Sequence, residues 1–155
     1  MKGLSCKMKR LKWILVILWM VIIFAFSSQE AALSNGKSEF VIQMFQTLGL
    51  DLNKIFGDQA NFVVRKISHF MEYFILGVLL FNAAKGKFKL KKLSLFLILI
   101  VFLYSCSDEF HQLFVSGRTS RIRDILIDTA GGIVGFFLCY YISNRNGRKK
   151  ACQKT

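Results

Sequence analysis

Apolar residues in this chain fall into four runs, each about as long as a bilayer is thick. They cover residues 11–28, 62–83, 93–115 and 122–143. Crossing the hydrocarbon of a membrane as a helix takes about 20 mostly apolar residues. Backbone groups in lipid must be satisfied within the segment, so each run reads as a transmembrane α-helix. The expected fold is all-α: a polytopic integral membrane protein, a bundle of four transmembrane helices with a short amphipathic outer helix. The expected organisation is a basic tail over residues 1–12, one transmembrane domain over 13–143 and a second basic tail over 144–155.

The charges between the runs are sorted. Residues 1–12, 84–92 and 144–155 hold five Lys or Arg each and no acid. The remaining seven bases and all nine acids lie in the other segments. Cytoplasmic segments of membrane proteins carry the excess of Lys and Arg. Both termini and the 84–92 turn are therefore expected in the cytosol, and the acids at or beyond the outer leaflet. A net charge of +13 elsewhere invites a nucleic-acid reading. Here the basic excess has a membrane explanation and no nucleic-acid recognition motif accompanies it.

The first run, fourteen consecutive apolar residues from Trp13 to Phe26 after a basic stretch, has the outline of a secretory signal. The bulky Trp13 and Trp19, and a poor cleavage region at residues 27–32, favour an uncleaved anchor. The four cysteines form no CxxC pair. Cys6 and Cys152 fall in the basic tails and Cys106 and Cys139 in spans, so free thiols are expected. No internal repeat or low-complexity segment is present.

Between the first two runs, residues 29–61 are nearly neutral. Ser34-Asn35-Gly36 is a turn signal. Ser38 can cap a short helix that lines up Phe40, Val41, Met44, Phe45 and Leu48. That stripe suits either the membrane surface or the rim of the bundle. Gly49 is a stop signal, residues 49–58 read as a loop, and Asp58 is the expected cap of the second span.

Charged residues inside spans are costly and usually face a bundle interior or a wet cavity. Here they gather in the outer halves. Arg65, His69 and Tyr73 are spaced by four, and Glu72 follows His69 by three, so they share a helix face. If hydrocarbon begins near Ile67, Glu72 lies about 7.5 Å deep. Asp108, His111 and Gln112 share a face of the third span, with Glu109 about 100° away towards another neighbour. Asp124 and Asp128 are one turn apart on the fourth span. Gly131 and Gly135 continue their face as a Gly-xxx-Gly strip that admits a close helix. Arg118, Arg121 and Arg123 surround the last outer turn.

Four readings of this constellation stay open. The acids can simply neutralise the arginines and lock the helix ends, although a buried ion network is weak evidence for stability. An outward pocket can bind an amphiphile, with Arg65, Arg118 and Arg123 holding anions. His69, Glu72, Tyr73, Asp108, Glu109, His111 and Gln112 would then shape the pocket, and Asp124 and Asp128 orient the arginines. A metal has ligand types available, but His-xx-Glu and Asp-xx-His match no specific zinc signature, and none is expected; nor is any cofactor. Acid–base chemistry would fall to His69, Glu72 or His111. No nucleophile stands out, so binding is preferred to catalysis.

Four ordered blocks resemble the VanZ-like family of bacterial membrane proteins. They are Phe26-Ser27-Ser28-Gln29, then Arg65-Lys66 with His69-Phe70 and Glu72-Tyr73, then Asp108-Glu109 with His111-Gln112, Phe114 and Gly117-Arg118, then Asp124, Asp128 and Gly131. The likeness runs over about residues 13–140. Similar proteins often carry proline where this chain has Ser116, a difference that touches the stiffness of the turn more than its chemistry. The resemblance implies a multi-pass protein of the bacterial cytoplasmic membrane. The family's namesake is tied to low-level resistance to the glycopeptide teicoplanin. Implied partners, besides the bilayer, are a lipid-linked cell-wall precursor or a lipoglycopeptide.

Overall fold

The structure, a computed structural model, describes residues 2–85, 90–118 and 120–152, with side chains between residues 7 and 145. Among the described residues there are six α-helices, one 3-10 turn and no strand. They run in the order α1 (Lys2–Ser27), α2 (Ala31–Thr47), α3 (Leu52–Phe56), the 3-10 turn Gly57–Gln59, α4 (Ala60–Ala84), α5 (Leu90–Gln112) and α6 (Ile122–Cys152). Four helical stretches, 21 to 33 residues long, have the length and apolarity to cross a membrane. They contain the four runs' apolar centres. The all-α membrane bundle read from the sequence is what the chain forms. Parts of both basic tails are helical, as extensions of α1 and α6. Met1, residues 86–89 of the basic turn, residue 119 of the polar turn and the chain's last three residues lie outside the described ones.

The bundle is ordered around α4, which packs against α1, α2, α5 and, most extensively, α6. Sequence chemistry explains that closeness. A Cβ added to Gly131 would overlap the carbonyl oxygen of Phe70, and one added to Gly135 would overlap that of Phe74. Gly77 faces Gly132 with the same lack of room. The Gly-xxx-Gly strip thus brings α6 onto the backbone of α4, as expected of small residues in membrane helices. Tyr73, Leu76, Leu80 and Phe81 of α4, Leu97 and Val101 of α5, Ile23 of α1 and Phe136 of α6 fill the apolar core. Large aliphatic side chains such as Ile14, Ile17, Val21, Leu95, Leu99, Leu103 and Leu126 point outward, while Ser105, Asp108, Glu109, Gln112 and Asp128 are buried. That inversion suits lipid as the solvent.

The segment between α1 and α4 is more helical than expected. Helix α2 begins at Ala31, with Ser34, Asn35 and Gly36 inside it. Ser38 is not a cap; its hydroxyl bonds the carbonyl of Ser34 at 3.1 Å. A glycine in a helix interior costs about 1 kcal/mol relative to alanine. Burial of Ile42 against Ala60 and Val64 opposes that cost. One face of α2 therefore packs on the bundle through Ile42 and Val41, while Phe40, Met44 and Leu48 remain exposed. Gly49 does end the helix, in the left-handed region at φ 89°. The expected loop over 49–58 contains α3, capped by Asp51 accepting from the Lys54 amide at 3.1 Å. Asp58 sits in the 3-10 turn, and the capping position of α4 is Gln59.

Candidate functional site

The up-and-down order of the four spans brings the end of α1, the starts of α4 and α6 and the end of α5 to one pole. Every candidate site residue is in this half of the bundle. The described parts of the basic segments lie at the opposite pole.

Helix α1 is fastened to this pole through its last turn. Ser27 accepts from Gln112 Nε2 at 2.8 Å. Ser28 Oγ lies 3.1 Å from His111 Nε2 while also donating to the Phe24 carbonyl at 2.7 Å. Phe24 covers the imidazole, ring centroids 4.5 Å apart. Lower down, Trp19 donates to the Glu72 carbonyl at 2.9 Å, and Tyr104 donates to that of Met20 at 2.6 Å. His111 and Gln112 therefore serve as clasps to α1. Ser27 and Ser28, within one of the family-like blocks, supply their partners. Three polar residues closing a fourteen-residue apolar run were the available signal.

The acids divide among different neighbours. Glu109, buried, accepts from the Arg121 amide at 3.0 Å and so fixes the turn before α6. This is the separate neighbour that the 100° offset predicted. Asp124 forms an ion pair with Lys66 of α4. Asp128 Oδ2 accepts from Ser105 at 3.2 Å. Neither aspartate has an arginine in an ion pair among the described residues, so the expected orienting of arginines is not what their contacts do. Asp108 is 1 % exposed, and neither of its oxygens takes a hydrogen bond. The Ser27 and Tyr73 hydroxyls lie near it without reaching hydrogen-bond geometry. Tyr73 is fully buried with a tilted contact to Tyr104 at 6.0 Å. His69 Nδ1 stands 3.8 Å from Glu72 Oε2, too far for a hydrogen bond.

Two small cavities open among these groups. One, of about 150 Å³, lies between the end of α1, α2 and α4, lined by Gln29, Lys37, Arg65, His69, Glu72 and Arg118. The other, of about 110 Å³, is lined by Phe62, Arg65, Lys66, Arg118, Arg121 and Asp124, with His69 again in the wall. Arg65, His69 and Arg118 thus stand between the two. Arg118 Nε donates to the Gln29 carbonyl at 3.1 Å, and Arg65 reaches Asn35 at 3.3 Å. Burial pulls the Arg118 pKa below its usual value and the neighbouring Arg65 charge pulls the same way, while Asp108, Glu72 and Glu109 oppose them. Lys37, on α2, joins the same wall and donates to Gln29 Oε1 at 2.7 Å. It escaped the sequence reading because α2 was expected to start at Ser38.

Beside the second cavity runs an apolar groove of about 400 Å³ between α4 and α6. Phe62, Val63, Lys66, Ile67, Phe70, Arg123 and Ile127 line it. Phe62 and Lys66 belong to both. Arg123 stands at the groove and not in either basic cavity. Cys106 and Cys139 are free thiols.

Compared with known proteins, residues 12–143 match the family described as VanZ/LLP1. Neither the curated proteins nor the solved structures gave a match.

Proposed function

Because this chain belongs to the VanZ/LLP1 family, a family of membrane proteins, we propose that its polar pole faces outward from the bacterial cytoplasmic membrane and binds an anionic envelope amphiphile. Both termini then lie in the cytosol. The observation that carries this reading is continuity. A cavity walled by Arg65, Lys66, Arg118 and Arg121 adjoins an apolar groove through the shared Phe62 and Lys66. The arrangement matches a molecule with a negative head and a hydrocarbon tail. Arginine forks pair with phosphate or carboxylate oxygens, and the groove faces where an acyl chain would lie. A lipid-linked cell-wall precursor and a lipid-tailed glycopeptide of the teicoplanin type both have this build. Holding either at the outer surface would contribute to drug tolerance.

The test has two parts. In nanodiscs of zwitterionic lipid, the purified protein should bind a long-chain alkyl phosphate and not the matching alkyl alcohol. Arg118→Ala should remove the difference. In cells, a deletion strain should become more susceptible to teicoplanin than to antibiotics without a lipid tail. Equal binding of alcohol and phosphate would overturn the headgroup reading.

A further inference from the structure

Several buried oxygens at the polar pole are short of hydrogen bonds. Both carboxylate oxygens of Asp108, Oδ1 of Asp128, Oε2 of Glu72 and the Tyr73 hydroxyl are enclosed and accept or donate none. Native structures leave few such groups, and each calls for an explanation. Asn61, Asp124 and Thr129 each hold one more such atom, but among the described residues Asp108 alone leaves both oxygens of its carboxylate unpaired. An imidazole stands nearby. One ligating atom each from His69, Asp108 and Asp128 lie within 4.8 Å of one another.

We propose that His69, Asp108 and Asp128 form a site for one divalent transition cation inside the bundle. Two adjacent carboxylates, each 1 % exposed, are costly to bury as ions without a compensating charge. Lys66 pairs with Asp124; Arg118 and Arg65 hydrogen-bond neutral partners, the Gln29 carbonyl and the Asn35 amide oxygen, and neither comes within ion-pair distance of the two carboxylates. Among the described residues, no Lys or Arg forms an ion pair with Asp108 or Asp128. Water can satisfy lone pairs but leaves two like charges side by side. The competing arrangement is water with protons on the carboxyls, and it binds no metal.

The donor set narrows the ion. One imidazole and two carboxylates suit Zn²⁺ or Mn²⁺ better than an all-oxygen ion such as Ca²⁺ or a thiolate-seeking one such as Cu⁺. Zinc takes nitrogen and carboxylate oxygen at about 2.0–2.2 Å, which places ligand atoms about 3–3.5 Å apart. Closing from a spacing of up to 4.8 Å brings the ligand atoms together by about 1.3–1.8 Å at most. Glu72, 3.8 Å from His69 Nδ1, would have to close on that nitrogen to orient an imidazole ligating through Nε2. Three protein ligands leave coordination positions open. His69 also lines both basic cavities. The site does not depend on the amphiphile reading, and each can fail alone.

The experiment uses the full chain in detergent, without a polyhistidine tag, stripped by a chelator and then given Zn²⁺ or Mn²⁺ alone. Elemental analysis after gel filtration should find one equivalent of one of these ions retained. The melting temperature should rise with added metal, because an ion that binds only the folded state stabilises it. Asp108→Asn with Asp128→Asn should weaken binding by at least about 100-fold, while Glu39→Gln on the exposed side of α2 should not change it. Should the double variant fail to fold, the wild-type stoichiometry and melting shift still decide. A wild-type chain that retains neither ion and does not shift its melting overturns the site. So does equal retention by a folded double variant.

Discussion

Lys66 of α4 and Asp124 of α6 form an ion pair at the polar pole, with side chains only 17 % and 9 % exposed. The pair ties together the two helices that the glycine strip has already brought into contact. Removing one member leaves the other charge enclosed. Lys66→Met or Asp124→Leu alone should each cost about 3 kcal/mol of stability. The double replacement should recover to within about 1 kcal/mol of the native protein, since neither charge is then stranded. Unfolding of the four chains in detergent measures the cycle. Costs that simply add would show that the pair is not coupled.

Glycine substitutions should divide by location. A Cβ at Gly135 meets the Phe74 carbonyl, a backbone atom that cannot swing away. Gly135→Ala must therefore push α6 off α4, and overpacking of this kind costs about 1–3 kcal/mol. Gly36 lies inside α2 with nothing within 4 Å of the added atom. Gly36→Ala should stabilise the protein by about 0.5–1 kcal/mol. Thermal unfolding of the two variants should move in opposite directions. A stabilised Gly135→Ala chain would contradict the close α4–α6 packing.

The reach of the sequence can be read from these same elements. Four apolar runs specified four spans because a bilayer demands length from every crossing helix. The spacing of Asp124, Asp128, Gly131 and Gly135 identified the packing face of α6, since a helix has one fixed period. The offset of Glu109 from Asp108 correctly separated their neighbours for the same reason. Legibility stopped where tertiary packing competes with local preference. Ser34-Asn35-Gly36 carries a turn signature yet is helical; burial of Ile42 two turns later offsets a local cost of about 1 kcal/mol. Partner choice was also hidden. Periodicity showed that His111 and Asp108 share a helix side but not that Ser28 would engage the first and no hydrogen bond the second.

Arg118 should be the residue least replaceable by another cation. Its Nε is committed to the Gln29 carbonyl, so the rest of the guanidinium remains for an anion in the adjoining cavities. A lysine has one ammonium for both tasks and lacks the planar fork. Arg118→Lys should weaken alkyl-phosphate binding by about tenfold and Arg118→Ala by more, the size expected for a charge-assisted hydrogen bond of about 1.5–3 kcal/mol. Calorimetry in nanodiscs gives both values. Full retention by Arg118→Lys would mean that charge alone, without the fork, holds the ligand.

The proposed orientation of the bundle rests on its two poles. One carries the described parts of the three basic segments, and the other carries the turn between α5 and α6 with the enclosed acids. Retention of Lys and Arg on the cytoplasmic side should hold the basic pole inside. Ser116 lies exposed in that turn, so Ser116→Cys should react with a membrane-impermeant maleimide on intact cells. Cys152, in the basic tail, should react only after permeabilisation. The comparison is internal to one chain and needs no knowledge of the ligand. Labelling of Cys152 in intact cells, with Ser116→Cys protected, would turn the bundle over and place both basic cavities on the cytosolic side, beyond reach of any outward-facing envelope molecule.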